Sequence, residues 1–138
     1  MVGMRACKMC SKQLTKRHQL LYCSNRCQID FQHKLYIQKW KDACAHGSTG
    51  TITKNISRHI KRHLIEHYGE RCQLCGWNRK HSITDRVPLE VDHVDGNAEN
   101  NHPKNLRLVC PNCHALTPYF RNLNKGGGRR WRRGTRTL

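Results

Sequence analysis

Eight of the nine cysteines in this 138-residue chain fall into four close pairs: Cys7 with Cys10, Cys23 with Cys27, Cys72 with Cys75, and Cys110 with Cys113. Cysteines two or three residues apart can turn two thiolates toward one tetrahedral ion, whereas disulfide frameworks usually join cysteines farther apart. The chain is therefore expected to fold around metal. Its composition explains the need: only 36% of residues are hydrophobic and 7% aromatic. Two units of roughly 45 and 80 residues at that composition bury too little apolar surface to be secure without a staple.

Cys7, Cys10, Cys23 and Cys27 spell Cys-x2-Cys-x12-Cys-x3-Cys, which fits one closed structural Zn2+ site. Four thiolates leave no open position for a substrate, so this metal folds its module and does no chemistry. From Gln28 the pattern becomes helical, with Ile29, Tyr36, Ile37, Trp40 and Cys44 forming an apolar stripe. The unpaired Cys44 is expected to be buried in it. Gly47 to Gly50 breaks the period and is the expected linker. The resulting division is a four-cysteine zinc finger with an amphipathic helix over 1–46, a second zinc-containing domain over 47–125, and a basic Gly/Arg-rich tail over 126–138.

A second helix is expected from Asn55 to Tyr68, with Ile56, Ile60, Leu64 and Tyr68 stacked and Gly69 ending it. His59, His63 and His67 form a parallel stripe, but no cysteine or carboxylate completes a metal set. They read as a polar face beside Arg58, Lys61 and Arg62, three candidates for phosphate contact. Cys72-x2-Cys75 and Cys110-x2-Cys113 then pair across 34 intervening residues as a second structural Zn2+ site. That span is longer than in an ordinary zinc ribbon, so something is inserted into the zinc unit.

The insertion reads as strand, loop, strand, helix. Leu89 to Val94 is the first strand, the Gly- and Asn-rich run to Asn105 the loop, Leu106 to Val109 the second strand, and Pro111 opens the helix carrying Cys113 and His114. Adjacent strand residues face opposite sides, so Asp92 and His93 can serve one site only if the strand twists or ends there, as Asp95-Gly96 allows. The chain's net charge of +17 points to a polyanion, and hydrolysing a phosphodiester in one needs a base for water and positive charge on the phosphate. An imidazole at His93 suits the first role. Asp92 and His114 offer one oxygen and one nitrogen, enough for a divalent ion that keeps open positions, and Asn105 is placed to fix its loop and orient His93. Glu90 is a minor candidate ligand, and His102 is expected to face solvent.

The order Asp92-His93, Asn105-Leu106 and Cys110-x2-Cys113-His114, with nine residues from Asn105 to His114, resembles the HNH endonucleases of the ββα-metal fold. The resemblance covers roughly Arg71 to Lys125, and the whole layout looks like the small HNH endonucleases of bacteriophage genomes. It implies an α+β, zinc-stabilised fold and metal-dependent cleavage of DNA. His93 would be the general base, Asp92 and His114 would hold a catalytic Mg2+ or Mn2+, and Asn105 would orient. One departure is Pro118, where some members carry a further metal-binding histidine.

A net charge of +17 points to a polyanion partner, and DNA is the leading one. Residues 1–45 carry nine Lys/Arg against two Asp/Glu, residues 46–125 twelve against seven, and residues 126–138 five against none, so basic charge runs end to end. In the tail, Lys125, Arg129, Arg130, Trp131, Arg132 and Arg133 are candidates to follow a phosphate backbone and stack on a base or sugar. No run approaches the length of a membrane span and Met1 to Leu20 is charged throughout, so the expected place is the cytoplasm, that of a bacterial host if the chain is phage-encoded, with no membrane partner. A homodimer is expected if both strands are cut, and a phage protein partner is left open. The competing reading is a non-catalytic zinc-finger DNA-binding protein or regulator.

Overall fold

The structure, a computed structural model, describes residues 5–50 and 55–123. The chain divides into two compact units, Met1–Ala45 and His46–Leu138.

The first unit is a zinc-knuckle loop followed by helix α1, Asn25–Lys41. Ser24 caps α1 by accepting from the Cys27 amide, which satisfies an amide that the helix itself leaves unpaired and seats a cysteine in the first turn. The buried face is His33, Ile37 and Trp40, a run at spacings of four and three. Tyr22 packs its ring on Phe31 at 5.5 Å. The expected stripe was longer than the face the core covers: Ile29 is half exposed and Cys44 is exposed. Cys44 lies outside the helix because α1 ends at Lys41 and Ala43 takes a left-handed φ of 57°, re-aiming the chain away from the stripe.

The second unit opens with two short antiparallel strands, β1 (Ser48–Thr49) and β2 (Asn55–Ile56), and helix α2, Arg58–Tyr68. Gly47 is buried, and its carbonyl accepts from the Ser57 amide. The expected linker is thus the first piece of this unit. Likewise Asn55 and Ile56 pair as strand, and the helix begins only after the Ser57 cap. The core is Ile60 and Leu64 from α2 with Val87, Leu89, Leu106, Leu108 and Val109.

Strand β3, Glu90–His93, pairs antiparallel with β4, Leu106–Val109, and helix α3, Pro111–Ala115, follows. The register sets Asp92 directly opposite Arg107 and His93 opposite Leu106. A single 3-10 turn, Pro103–Asn105, brings the connecting loop back onto β4. This strand, loop, strand, helix order sets Glu90, Asp92 and His93 along one strand and His114 in the helix that follows its partner. Among the described residues, no helix is long and apolar enough to cross a membrane.

Candidate functional site

Two groups of four thiols come together, Cys7, Cys10, Cys23 and Cys27 in the first unit and Cys72, Cys75, Cys110 and Cys113 in the second. Within the first, Sγ atoms stand 3.6 Å (Cys10, Cys23), 3.4 Å (Cys23, Cys27) and 3.8 Å (Cys27, Cys10) apart. In the second, Cys75 and Cys110 are 3.8 Å apart. A disulfide needs about 2.05 Å. A tetrahedral ion with metal–sulfur bonds of about 2.3 Å needs a sulfur–sulfur edge of about 3.8 Å. The donor set and its size therefore fit zinc in both units.

The two leading knuckles are built alike. The Ser11 amide donates to Cys7 O at 2.9 Å and the Gly76 amide to Cys72 O at 2.8 Å, while Cys7 and Cys72 donate in turn to Lys12 O and Trp77 O. The residue after each second cysteine is left-handed, with φ 60° at Ser11 and 76° at Gly76. Glycine takes that conformation without strain, and Ser11 takes it because the knuckle requires it.

The thiols are held in unequal states, ready for a metal to equalise. Burial pushes Cys7 and Cys72 up, but backbone hydrogen bonds converging on each sulfur outweigh it and bring both down to about 6. Cys23, beside Cys27 and Cys10, and Cys113, beside Cys75 and Cys110, are pushed up to about 12. Each of these two thiols donates to its neighbouring sulfurs, which holds its proton in place, and burial adds to the effect.

At the sheet end, His114 in α3 turns its two ring nitrogens to two different carboxylates. Nδ1 meets Glu90 Oε2 in a short contact, and Nε2 faces Asp92 Oδ1 at 3.7 Å. The first is the partnership that orients a metal-binding imidazole. The second is too long for a hydrogen bond, and within about 1 Å of the ~3.0 Å edge between neighbouring ligands on an octahedral ion. Asp92 is buried and its other oxygen accepts from Arg107 Nε at 2.8 Å across the strand pair. Among the described residues no third thiol, imidazole or carboxylate completes a three-donor group here. Glu90, the minor candidate ligand, meets the far nitrogen of that ring, Nδ1.

α3 is placed by the zinc knuckle. Cys110 caps it, its Sγ accepting from the Cys113 amide, and Pro111 occupies the first turn, where a missing N–H costs nothing. His114 follows Cys113 directly, and its ring meets Phe120 edge-on at 5.2 Å. Position 118 lies beyond the helix.

β3 ends at His93, which is the condition under which consecutive Asp92 and His93 can serve one substrate. The turn that follows is clamped by Asn105: its Oδ1 accepts from the Asp95 amide, and its Nδ2 donates to Asp95 Oδ1 and Asn100 O, at 3.0, 2.8 and 2.8 Å. Burial pushes the Asp95 carboxyl up, yet bonds from Asn100, Asn97 and Asn105 hold it below the usual range. Asn105 thus ties Asp95 and Asn100 together across the turn. The amide against the His93 ring, however, is Asn101, whose Oδ1 lies 2.9 Å from Nε2. Sequence reasoning missed Asn101, and two adjacent asparagines in a loop carried no signal to separate them.

Residues 72–116 match the family described as HNH endonuclease. That segment is an HNH domain. A curated relative, the H-N-H endonuclease F-TflIV of Escherichia phage T5, is 38% identical over 97 residues, covering 68% of this chain and 40% of the relative. The chain thus spans well under half the length of that relative. No solved structure matches. With β3, β4 and α3 in order and two four-cysteine groups, the fold is a small zinc-stabilised ββα-metal architecture.

The expected DNA-contact residues fall in several settings. Arg58 is exposed on α2, and Arg62 pairs with Glu66 at 2.7 Å. Lys61 donates from Nζ to Leu89 O at 2.6 Å, so it ties α2 to the start of β3. His63 and His67 stack at 5.9 Å, and His102 is exposed. Lys125, Arg129, Arg130, Trp131, Arg132 and Arg133 lie outside the described residues.

Proposed function

We propose that this chain is a divalent-metal-dependent endonuclease that hydrolyses DNA phosphodiester bonds. The observation that carries the reading is the facing of Asp92 Oδ1 and His114 Nε2 across 3.7 Å, with Glu90 behind the imidazole and Arg107 behind the carboxylate. Asp92 and His114 hold Mg2+ or Mn2+; when bound, the ion supplies positive charge to the phosphate and its leaving oxygen. His93 takes the proton from the attacking water, and Asn105 keeps the turn after it closed. The two four-cysteine groups take structural Zn2+. The phage relative's name and the family match support the nuclease assignment, and the net charge of +17 supports a nucleic-acid substrate. Arg58 and the basic tail serve as DNA anchors.

The test is plasmid nicking by zinc-loaded protein with added Mg2+ or Mn2+. Wild type should nick, while His93→Ala should lose on the order of 10² to 10⁴ in rate with zinc content unchanged. Intact DNA binding without cleavage under any divalent ion would sink the enzyme reading and favour a non-catalytic zinc-finger DNA-binding protein, which the closed four-thiolate module of the first unit also suits. Deleting the tail after Lys125 should weaken DNA binding and reduce its dependence on salt.

A further inference from the structure

His93 is not alone at its end of the sheet. Its Nε2 lies 2.9 Å from Asn101 Oδ1. Asn101 is only 6% exposed, and its Nδ2 lies 3.3 Å from Nδ1 of His46. His46 Nδ1 is in turn 3.0 Å from Ser48 Oγ. The four side chains come from distant parts of the second unit: the end of β3, the β3–β4 loop, the residue that opens the unit, and β1.

We propose that Asn101 is a positioning residue that fixes His93 in the one tautomer able to act as a base, and that His46 sets the orientation of Asn101. An amide oxygen can only accept a hydrogen bond, so the imidazole nitrogen facing it carries the hydrogen. With the hydrogen on Nε2, a neutral His93 has its lone pair on Nδ1, the nitrogen that can then take the proton of a water. The reversed amide would present NH2 to Nε2, force the hydrogen onto Nδ1, and leave the lone pair on Nε2, tied to the amide. What chooses between the two orientations is the far end of the amide. His46 Nδ1 stands 3.3 Å from Asn101 Nδ2 and 3.0 Å from Ser48 Oγ; with its own hydrogen on Nε2 it would accept from the amide and hold Nδ2 on its side. Correct tautomer selection is a large part of what an orienting group contributes to a histidine base. Asn105, by contrast, makes its side-chain bonds to Asp95 and Asn100 and acts on the backbone of the turn.

The proposal rests on His93 being the base, and its test reads the tautomer without needing turnover. In full-length, zinc-loaded protein labelled with 15N-histidine, with the His93 signals identified by their loss in His93→Gln, long-range 1H–15N spectra at pH 8 should show His93 protonated on Nε2. Asn101→Leu should move the hydrogen to a mixture of both nitrogens and lower kcat for plasmid nicking on the order of 10²-fold, with KM changed less than about twofold. Asn101→Asp, which keeps an acceptor and cannot present NH2, should keep the Nε2–H tautomer and recover at least tenfold over Asn101→Leu. His46→Ala should give a mixed tautomer at His93 with the zinc content of wild type. Should Asn101→Leu fail to fold, the wild-type, Asn101→Asp and His46→Ala spectra decide the matter. Wild-type His93 protonated on Nδ1, or Asn101→Asp with a tautomer mixture, overturns the role of Asn101; an unchanged spectrum in His46→Ala overturns that of His46. Full nicking by His93→Ala would instead overturn the base assignment and leave the tautomer result standing.

Discussion

Gly96 should be nearly irreplaceable, and the reason can be separated into two measurable parts. It lies in the turn directly after β3, with φ +72° and its N–H donated to His93 O at 2.9 Å. A Cβ at this position would stand 2.3 Å from Cγ and 2.6 Å from Cβ of Tyr119, in the segment after α3. Tyr119 is 45% exposed, so its ring has room to swing, but its Cβ moves only with the backbone. Gly96→Ala therefore combines left-handed strain of about 1–2 kcal/mol with an overpacking cost of about 1–3 kcal/mol, a loss of about 2–5 kcal/mol. In a Tyr119→Gly background, which removes the Cβ as well as the ring, the clash is gone and only the backbone part, about 1–2 kcal/mol, should remain. Urea unfolding of the four proteins at fixed excess zinc gives the coupling directly. A cost below about 0.5 kcal/mol, or one that is the same in both backgrounds, would refute this reasoning. Because the turn is anchored on the His93 carbonyl, Gly96→Ala should also lower nicking at temperatures where the protein remains folded.

Zinc uptake should be coupled to proton release. Cys23 and Cys113 sit at about 12 in the metal-free protein and carry protons at pH 7, which the ion must displace. Affinity should therefore rise about tenfold per pH unit for each proton displaced, and the stability zinc supplies should fade as pH falls, more steeply below about 6, where Cys7 and Cys72 also take up protons. Chelator competition at pH 6.5 and 7.5 measures the slope, and a pH-independent affinity would contradict it. Lys61→Met should lower stability by about 1–2 kcal/mol, because the Leu89 carbonyl loses a 2.6 Å donor in a part-buried setting; urea titration checks it. Glu90→Gln should weaken Mn2+ binding about 10- to 100-fold, by loosening the His114 ring, with structural zinc retained; Mn2+ titration monitored by electron paramagnetic resonance reads the change.

Much of this molecule is legible one residue at a time. Ligand spacing is a local property, so the four cysteine pairs announce their metal sites without any knowledge of the path between them. The strand, loop, strand, helix order around Asp92 and His114 follows in the same way from short-range pattern, from Pro111 in a first turn and from Asn- and Gly-rich loop chemistry. Apolar periodicity located α1 and α2 but overran both. It cannot register Ala43 turning left-handed and ejecting Cys44, nor Asn55 and Ile56 being claimed by β1.

What only the tertiary structure decided is which polar side chain meets which. Lys61 reads as a surface cation on a basic helix face, yet folding brings it to a carbonyl 28 residues later. Glu90 and His114 are 24 residues apart and meet because α3 closes back over β3. Sequence pattern singles out Asn105 as the partner of His93, whereas the path of the loop sets Asn101 against the ring and Asn105 on the turn. His46 joins that cluster from 55 residues before Asn101. Metal spacing is written along the chain because the ligands of each knuckle are neighbours in it. Hydrogen-bond partnership is decided in space, by loops whose ends are set by the sheet and the zinc.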